Sequence, residues 1–142
     1  MTLLQQSGGF HVEGASVRTS NSREMSPHGQ IKGLWQHYCE SAAFSVSETA
    51  FAVYSDYETD RDGDYTVTVG KASETGIEVS AGTYLIFTSE GRSPEAIGNA
   101  WNRVWLYFST CDTYIRTFKT DYEVYAPDGA VTLHIGVEHI AV

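Results

Sequence analysis

Apolar and polar positions change period several times along this chain, and each change marks an element. From Phe10 to Thr19 they alternate in part, which predicts a first strand. Ser20 to His28 is polar, contains Pro27, and reads as a loop. Between Gln30 and Phe44 the residues Ile31, Leu34, Trp35 and Tyr38 recur at i, i+3, i+4 and i+7, the spacing of an amphipathic helix. Gly33 inside it weakens the helix by up to ~1 kcal/mol and is expected to serve close packing. Phe51–Tyr57 and Tyr65–Val69 are rich in β-formers and flank an Asp- and Gly-containing turn, Thr59 to Asp64, which predicts a hairpin.

The second half repeats this grammar. Gly76–Phe87 reads as a strand interrupted or bulged near Gly82. Pro94 opens a helix, where proline is tolerated best, and Ile97, Ala100, Trp101, Val104, Trp105 and Phe108 follow at helical spacing. Ser109–Arg116 is a connector, Phe118–Tyr125 a strand, Ala126-Pro127-Asp128-Gly129 a turn, and Val131–Val137 the partner strand. Residues 1–8 read as a loose leader and 9–142 as one domain. Phe51-Ala52-Val53-Tyr54 aligns with Tyr122-Glu123-Val124-Tyr125, and Tyr65–Gly70 resembles Val131–Gly136. Together these suggest an internal duplication of strand–helix–strand–strand, with Glu123 in the place of Ala52.

Composition narrows the function classes. The formal net charge of −9 argues against a nucleic-acid surface and against adhesion to anionic membranes. No apolar run approaches the ~20 residues that span a bilayer, and Met1 to Gly9 lacks a signal-peptide pattern, so a cytoplasmic location is expected. Cys39 and Cys111 read as reduced thiols. The acidic turn lacks the downstream Glu and the helices of an EF-hand, and the five histidines show no tight ligand pairing, although His11 and His134 could meet across strands. No metal or cofactor is expected. Nine Tyr, six Phe and three Trp are enough to build a core and to line a π-rich pocket as well.

The chemistry concentrates in Asp121-Tyr122-Glu123-Val124-Tyr125. In a strand Glu123 and Tyr125 share one face, so a carboxylate sits in an aromatic-rich element that a small domain buries. Such a charge is costly without compensation. An internal Arg or Lys, a hydrogen-bond cage, protonation or a cationic ligand would each supply it.

The chain resembles the effector-binding domains of AraC-type and MerR-type multidrug regulators, also called DNA gyrase inhibitor-like domains. Ile31-Lys32-Gly33-Leu34-Trp35, Tyr54 to Gly70, Gly82-Thr83-Tyr84-Leu85-Ile86-Phe87 with Gly91, Ala100-Trp101 to Trp105, and Asp121 to Tyr125 carry the resemblance, which spans roughly residues 9–138. It is especially similar to the stand-alone, integron cassette-encoded members that bind cationic drugs. The resemblance implies an α+β fold of two pseudo-symmetric βαββ units, with two helices packed on a mostly antiparallel sheet. It also implies a pocket for lipophilic cations near the pseudo-axis, with Glu123 as its carboxylate. Trp35 and Tyr38 on the first helix, Trp101 and Trp105 on the second, and Tyr54, Tyr65, Tyr84 and Tyr125 on strands are the expected walls. Residues 1–8 leave no room for a helix-turn-helix, so direct DNA binding is not expected; the domain would sequester drugs or pass a signal to a separate DNA-binding regulator, and sheet edges make a homodimer plausible. The alternatives are an inhibitor that binds DNA gyrase through its surface and, less favoured, a hydrolase of electrophilic small molecules using Glu123; catalysis is not the expected role.

Overall fold

The computed structural model describes residues 3–140. Strands β1 (Leu3–Ser7), β2 (Phe10–Ser20), β3 (Ala50–Ser55), β4 (Asp64–Ser73), β5 (Ile77–Val79), β6 (Gly82–Thr88), β7 (Tyr114–Tyr125) and β8 (Val131–His139) form one sheet. Helices α1 (Asn21–Glu24), α2 (Ile31–Cys39) and α3 (Pro94–Thr110) complete the α+β fold. Every pairing is antiparallel, in the order β1-β6-β8-β7-β3-β4-β2-β5.

That order is a palindrome. Exchanging β1 with β5, β2 with β6, β3 with β7 and β4 with β8 returns the same list reversed, as two βαββ units related by a pseudo-twofold between β3 and β7 require. It also forces the sheet to curl. Only Gly8 and Gly9 join β1 to β2, and only Ser80 and Ala81 join β5 to β6. Three Cα steps reach about 11 Å, yet six inter-strand spacings in a flat sheet would separate each pair by about 29 Å. The two ends of the sheet therefore come together. Gly14 and Gly70, opposite each other on β2 and β4, allow the tight coiling: a Cβ on Gly14 would meet the Val69 carbonyl oxygen at 1.9 Å.

One sheet face carries the helices. Leu34 and Tyr38 of α2 pack on Ala52, Tyr54, Tyr65, Val67 and Val69, while Ala100 and Val104 of α3 pack on Leu85, Leu133, Ile135 and Val137. Trp101 and Tyr125 touch both clusters and mark the seam between the halves. The curl encloses the other face, where Val12, Val53, Val79, Tyr84 and Tyr122 form a third cluster.

Several expectations change. Leu3–Ser7 is not a loose leader but an edge strand paired with β6 from Leu3↔Ile86 to Ser7↔Gly82, and Gln6 donates to Thr83 Oγ1. The remainder of the leader at Met1 and Thr2, and the domain's last two positions, lie outside the described residues. The loop after β2 holds the short α1, started by the Ser20 hydroxyl accepting from the Arg23 N–H. Helix α2 stops at Cys39 rather than Phe44, because the Ser41 hydroxyl and N–H both bond the Tyr38 carbonyl. No described residue lies within 4 Å of a Cβ at Gly33, so that glycine serves no close approach among them. The strand expected over Gly76–Phe87 is two strands in opposite halves of the sheet, β5 at one edge and β6 next to the other, because the chain crosses over at Ser80–Ala81. The ladders also correct the duplication. Val67 pairs with Tyr54 and Leu133 pairs with Glu123, so aligning Tyr65 with Val131 makes Tyr54, not Ala52, the counterpart of Glu123.

Candidate functional site

Glu123 occupies the centre of the sheet, opposite Ala52 on β3 and Leu133 on β8, and is 3% exposed. The small Ala52 leaves space above it on the helix face. Into that space come three donors. Tyr54 Oη (3.0 Å) and Trp101 Nε1 (2.7 Å) donate to Oε2, and Tyr125 Oη (2.7 Å) donates to Oε1. All three are neutral, and none of the ion pairs among the described residues includes Glu123. Desolvation outweighs the three hydrogen bonds, and the carboxyl is held above its ordinary pKa. The carboxylate in turn pushes the Tyr54 and Tyr125 hydroxyls, already raised by burial, further up, so both remain donors.

Beside this cage a cleft of about 310 Å³ opens between α1, the β3–β4 hairpin and α3. Tyr54, Tyr57, Tyr65, Trp101 and Trp105 supply its aromatic wall, and Glu24, Arg61 and Arg116 its charged groups. Tyr54 and Trp101, with ring centroids 5.2 Å apart, stand between the cleft and Glu123 and turn their polar atoms inward to the carboxylate. A ligand in the cleft therefore meets aromatic faces first.

The expected wall residues divide accordingly. Tyr54, Tyr65, Trp101 and Trp105 line the cleft. Tyr125 belongs to the carboxylate cage, and Trp35 packs edge-on against it at 4.6 Å. Tyr38 is core, packed on Phe44 beneath α2. Tyr84 lies on the opposite face of the sheet, against Tyr122, with its hydroxyl donating to the Ser80 carbonyl. Strand parity separates Tyr84 from the site: it pairs with Gly136, which lies one residue from the helix-facing Ile135. His11 and His134 sit on β2 and β8, which are not neighbours.

Sequence reasoning passed over Tyr57, Arg116 and Asp121. Asp121 is fully buried and accepts from Arg116 Nη2 (2.7 Å), Tyr57 Oη (2.5 Å) and the Gly136 N–H (2.8 Å). In a regular strand side chains five residues apart point to opposite faces. Here the register shifts between Arg116 and Asp121, and Phe118 adopts φ 53°, which returns Arg116 to the face of Asp121. The guanidinium also stacks on the Phe118 ring at 4.3 Å. The signal available was Asp121 itself, two residues from Glu123 and on the same face.

The profile of the family described as integron-associated effector binding protein, Cass2, matches residues 4–137. The chain belongs to this effector-binding family. Among solved structures, the integron cassette protein VCH_CASS2 from the mobile metagenome of Vibrio cholerae superposes with a TM-score of 0.84 at 30% identity, over 96% of this chain and 95% of that one. YobU of Bacillus subtilis, named as a candidate transcriptional regulator, is 33% identical over 134 aligned residues, covering 83% of this chain and 82% of YobU. SAV2435, in a structure bound to tetraphenylphosphonium, shares the fold with a TM-score of 0.76 at 16% identity, over 97% of this chain and 94% of that one. The match to Cass2 extends to β1, which the resemblance read from sequence did not include.

Proposed function

We propose that this Cass2-family protein is a receptor for lipophilic, delocalised cations, which enter the aromatic cleft and are charge-matched by Glu123. The observation that carries this reading is the carboxylate itself: buried at the seam of the two halves and, among the described residues, supplied with neutral donors only. An ionised group in that position retains an unmet attraction for positive charge. Tetraphenylphosphonium, the ligand in the SAV2435 structure, is a cation of this chemistry and supports the assignment of ligand class.

Affinity and selectivity come from different terms. About 300 Å² of ligand surface buried at about 25 cal/mol per Å² contributes about 7.5 kcal/mol before association costs. Each cation–π contact adds ~0.5–2 kcal/mol. Burial does not discriminate a cation from a neutral molecule of the same shape; Glu123 does. Because Tyr54 and Trp101 already hold the carboxylate, a cation that approaches closely must part these rings. The carboxylate needs no fixed ligand angle, so many cations are accepted. The complex either sequesters the compound or presents an altered surface to a separate DNA-binding regulator.

The test is a fluorescence titration of rhodamine 6G into wild type and Glu123→Gln, beside an uncharged dye of similar shape. Wild type binds the cation, the variant loses at least about tenfold in affinity, about 1.4 kcal/mol, and the neutral dye is indifferent. Equal binding of rhodamine 6G by both proteins refutes the charge argument.

A further inference from the structure

The cleft already holds a cation of the protein's own. The guanidinium carbon of Arg61, at the tip of the β3–β4 hairpin, lies 5.0 Å from the centroid of the Trp105 ring, and both residues line the cleft. The hairpin is held there by α1: Asn21 Nδ2 donates to the Arg61 carbonyl at 2.8 Å, and Asn21 Oδ1 accepts from Tyr65 Oη at 2.7 Å. The other charges of the cleft are engaged. Glu24 accepts from the Thr19 hydroxyl and from the N–H groups of Gln30 and Ile31, and Arg116 is paired with buried Asp121. For Arg61 the ion pair among the described residues is with Asp62 at 3.8 Å, and the two side chains are 50% and 82% exposed, a solvated contact that holds it weakly. Trp105 stands one helical turn from Trp101, whose indole N–H binds Glu123.

We propose that the Trp105 face is a cation subsite, that Arg61 occupies it in the free protein, and that a ligand must displace Arg61 to bind. This rests on the cation-receptor reading and makes Arg61 a specificity-determining residue. A planar, delocalised cation offers Trp105 the same stacked contact as the guanidinium, with more apolar surface, and displaces it. A small ammonium ion offers neither and is turned away. Once the face is free, the ligand extends along α3 toward Trp101 and the carboxylate behind it.

Arg61→Gln removes the occupant at a half-exposed hairpin position where the fold does not depend on it. Rhodamine 6G binding is expected to tighten about three- to tenfold. Arg61→Lys keeps the charge without the planar face and falls between wild type and Arg61→Gln. Lys71→Gln makes the same change in net charge on β4, outside the residues that line the cleft, and leaves affinity unchanged. Equal tightening by Lys71→Gln assigns the effect to overall charge and overturns the proposal, as does unchanged or weaker binding by Arg61→Gln. If Glu123→Gln still weakens binding in that case, the receptor reading survives without the Arg61 subsite. If Arg61→Gln tightens binding while Glu123→Gln has no effect, the subsite stands and the role of Glu123 fails. No binding by wild type or by Arg61→Gln overturns both.

Discussion

Asp121 and Glu123 lie two residues apart on the same face of β7, both nearly inaccessible to water, and the protein treats them in opposite ways. Asp121 receives a full positive charge from Arg116, a phenol and a backbone N–H. Glu123 receives a phenol on one oxygen and a phenol and an indole on the other, with no cation among the described residues. The first arrangement balances charge, although Arg116 Nε is buried without a hydrogen-bond partner among the described residues. The second satisfies hydrogen bonding and leaves charge unbalanced. A fold that could turn an arginine of β7 onto this face through a bulge has left the neighbouring carboxylate without one. On the cation-receptor reading proposed above, the difference separates a structural anion from one that awaits an external partner.

The largest test removes the charge at 121. Asp121→Asn leaves Arg116 buried with no counter-ion, and stability is expected to fall by about 3–5 kcal/mol. Urea unfolding at pH 7.5 measures it. A loss below about 1 kcal/mol would mean that Arg116 finds water or another acceptor, and the contrast between the two carboxylates would collapse.

A third buried ionisable group, on the enclosed face, sharpens the comparison through pH. His134 stacks on Tyr122 at 4.5 Å, bonds Thr132 Oγ1 through Nε2, and has no partner for Nδ1 among the described residues. Burial lowers its pKa from 6.5 to about 4. The folded state holds it neutral, so its contribution is complete above about pH 6.5 and is lost as pH falls toward 4. The loss at pH 4.5 is about 2–3 kcal/mol. Glu123 runs the other way: its pKa is raised, so its contribution is full below the unfolded carboxylate pKa and is lost as pH rises through the folded value. Unfolding curves between pH 7.5 and 4.5 should therefore show wild type weakening in acid, and His134→Phe should flatten that slope. An unchanged slope would place the acid sensitivity elsewhere.

A smaller effect is expected at Glu123 itself. The glutamine oxygen can accept from Trp101 and Tyr54, and its NH2 can donate to the Tyr125 hydroxyl, which rotates to accept. Glu123→Gln should keep stability at pH 7.5 within about 1 kcal/mol of wild type, against several lost by Asp121→Asn. Its advantage over wild type should grow as pH rises through the folded pKa of Glu123. Thermal melts of the two variants side by side decide it. Destabilisation equal to that of Asp121→Asn would make Glu123 a second structural anion.

How much of this was legible in the sequence follows from which forces act locally. Alternation and helical spacing located β2, β3, β4, β8 and the start of α2 because those residues report their own burial. The edge exchange of β1 and β5 was hidden, since pairing with a strand some 80 residues away leaves no local mark on Leu3–Ser7. Glu123 stood out as a charge among strand-forming aromatics. Its partners Tyr54 and Trp101 were named as pocket walls and serve as its donors as well, because an aromatic ring can line a cleft while its polar atom faces away from it. Arg116 was hidden by parity, which the bulge reverses. Arg61 sat in what read as a solvated acidic turn, and only the distance to Trp105 reveals its contact.

The finest test concerns one hydroxyl. Among the described residues, Oε2 of Glu123 has two donors and Oε1 has Tyr125 alone. That bond lowers the carboxyl pKa against the larger desolvation that raises it. Tyr125→Phe keeps the ring packed on Trp35 and removes the bond, so the carboxyl pKa must rise further. If, as proposed, Glu123 charge-matches the ligand, cation binding requires the ionised form, and the pH at which rhodamine 6G affinity falls to half should move upward. Well above that midpoint the carboxylate is ionised in both proteins. There the variant should bind within about threefold of wild type, because the lost donor had stabilised the same negative charge that the ligand now meets with one competitor fewer. Titrations from pH 5.5 to 8.5 separate the outcomes. An affinity drop of equal size at every pH would mean that the hydroxyl contacts the ligand, whereas a displaced midpoint with a shared plateau would mean that it acts through Glu123.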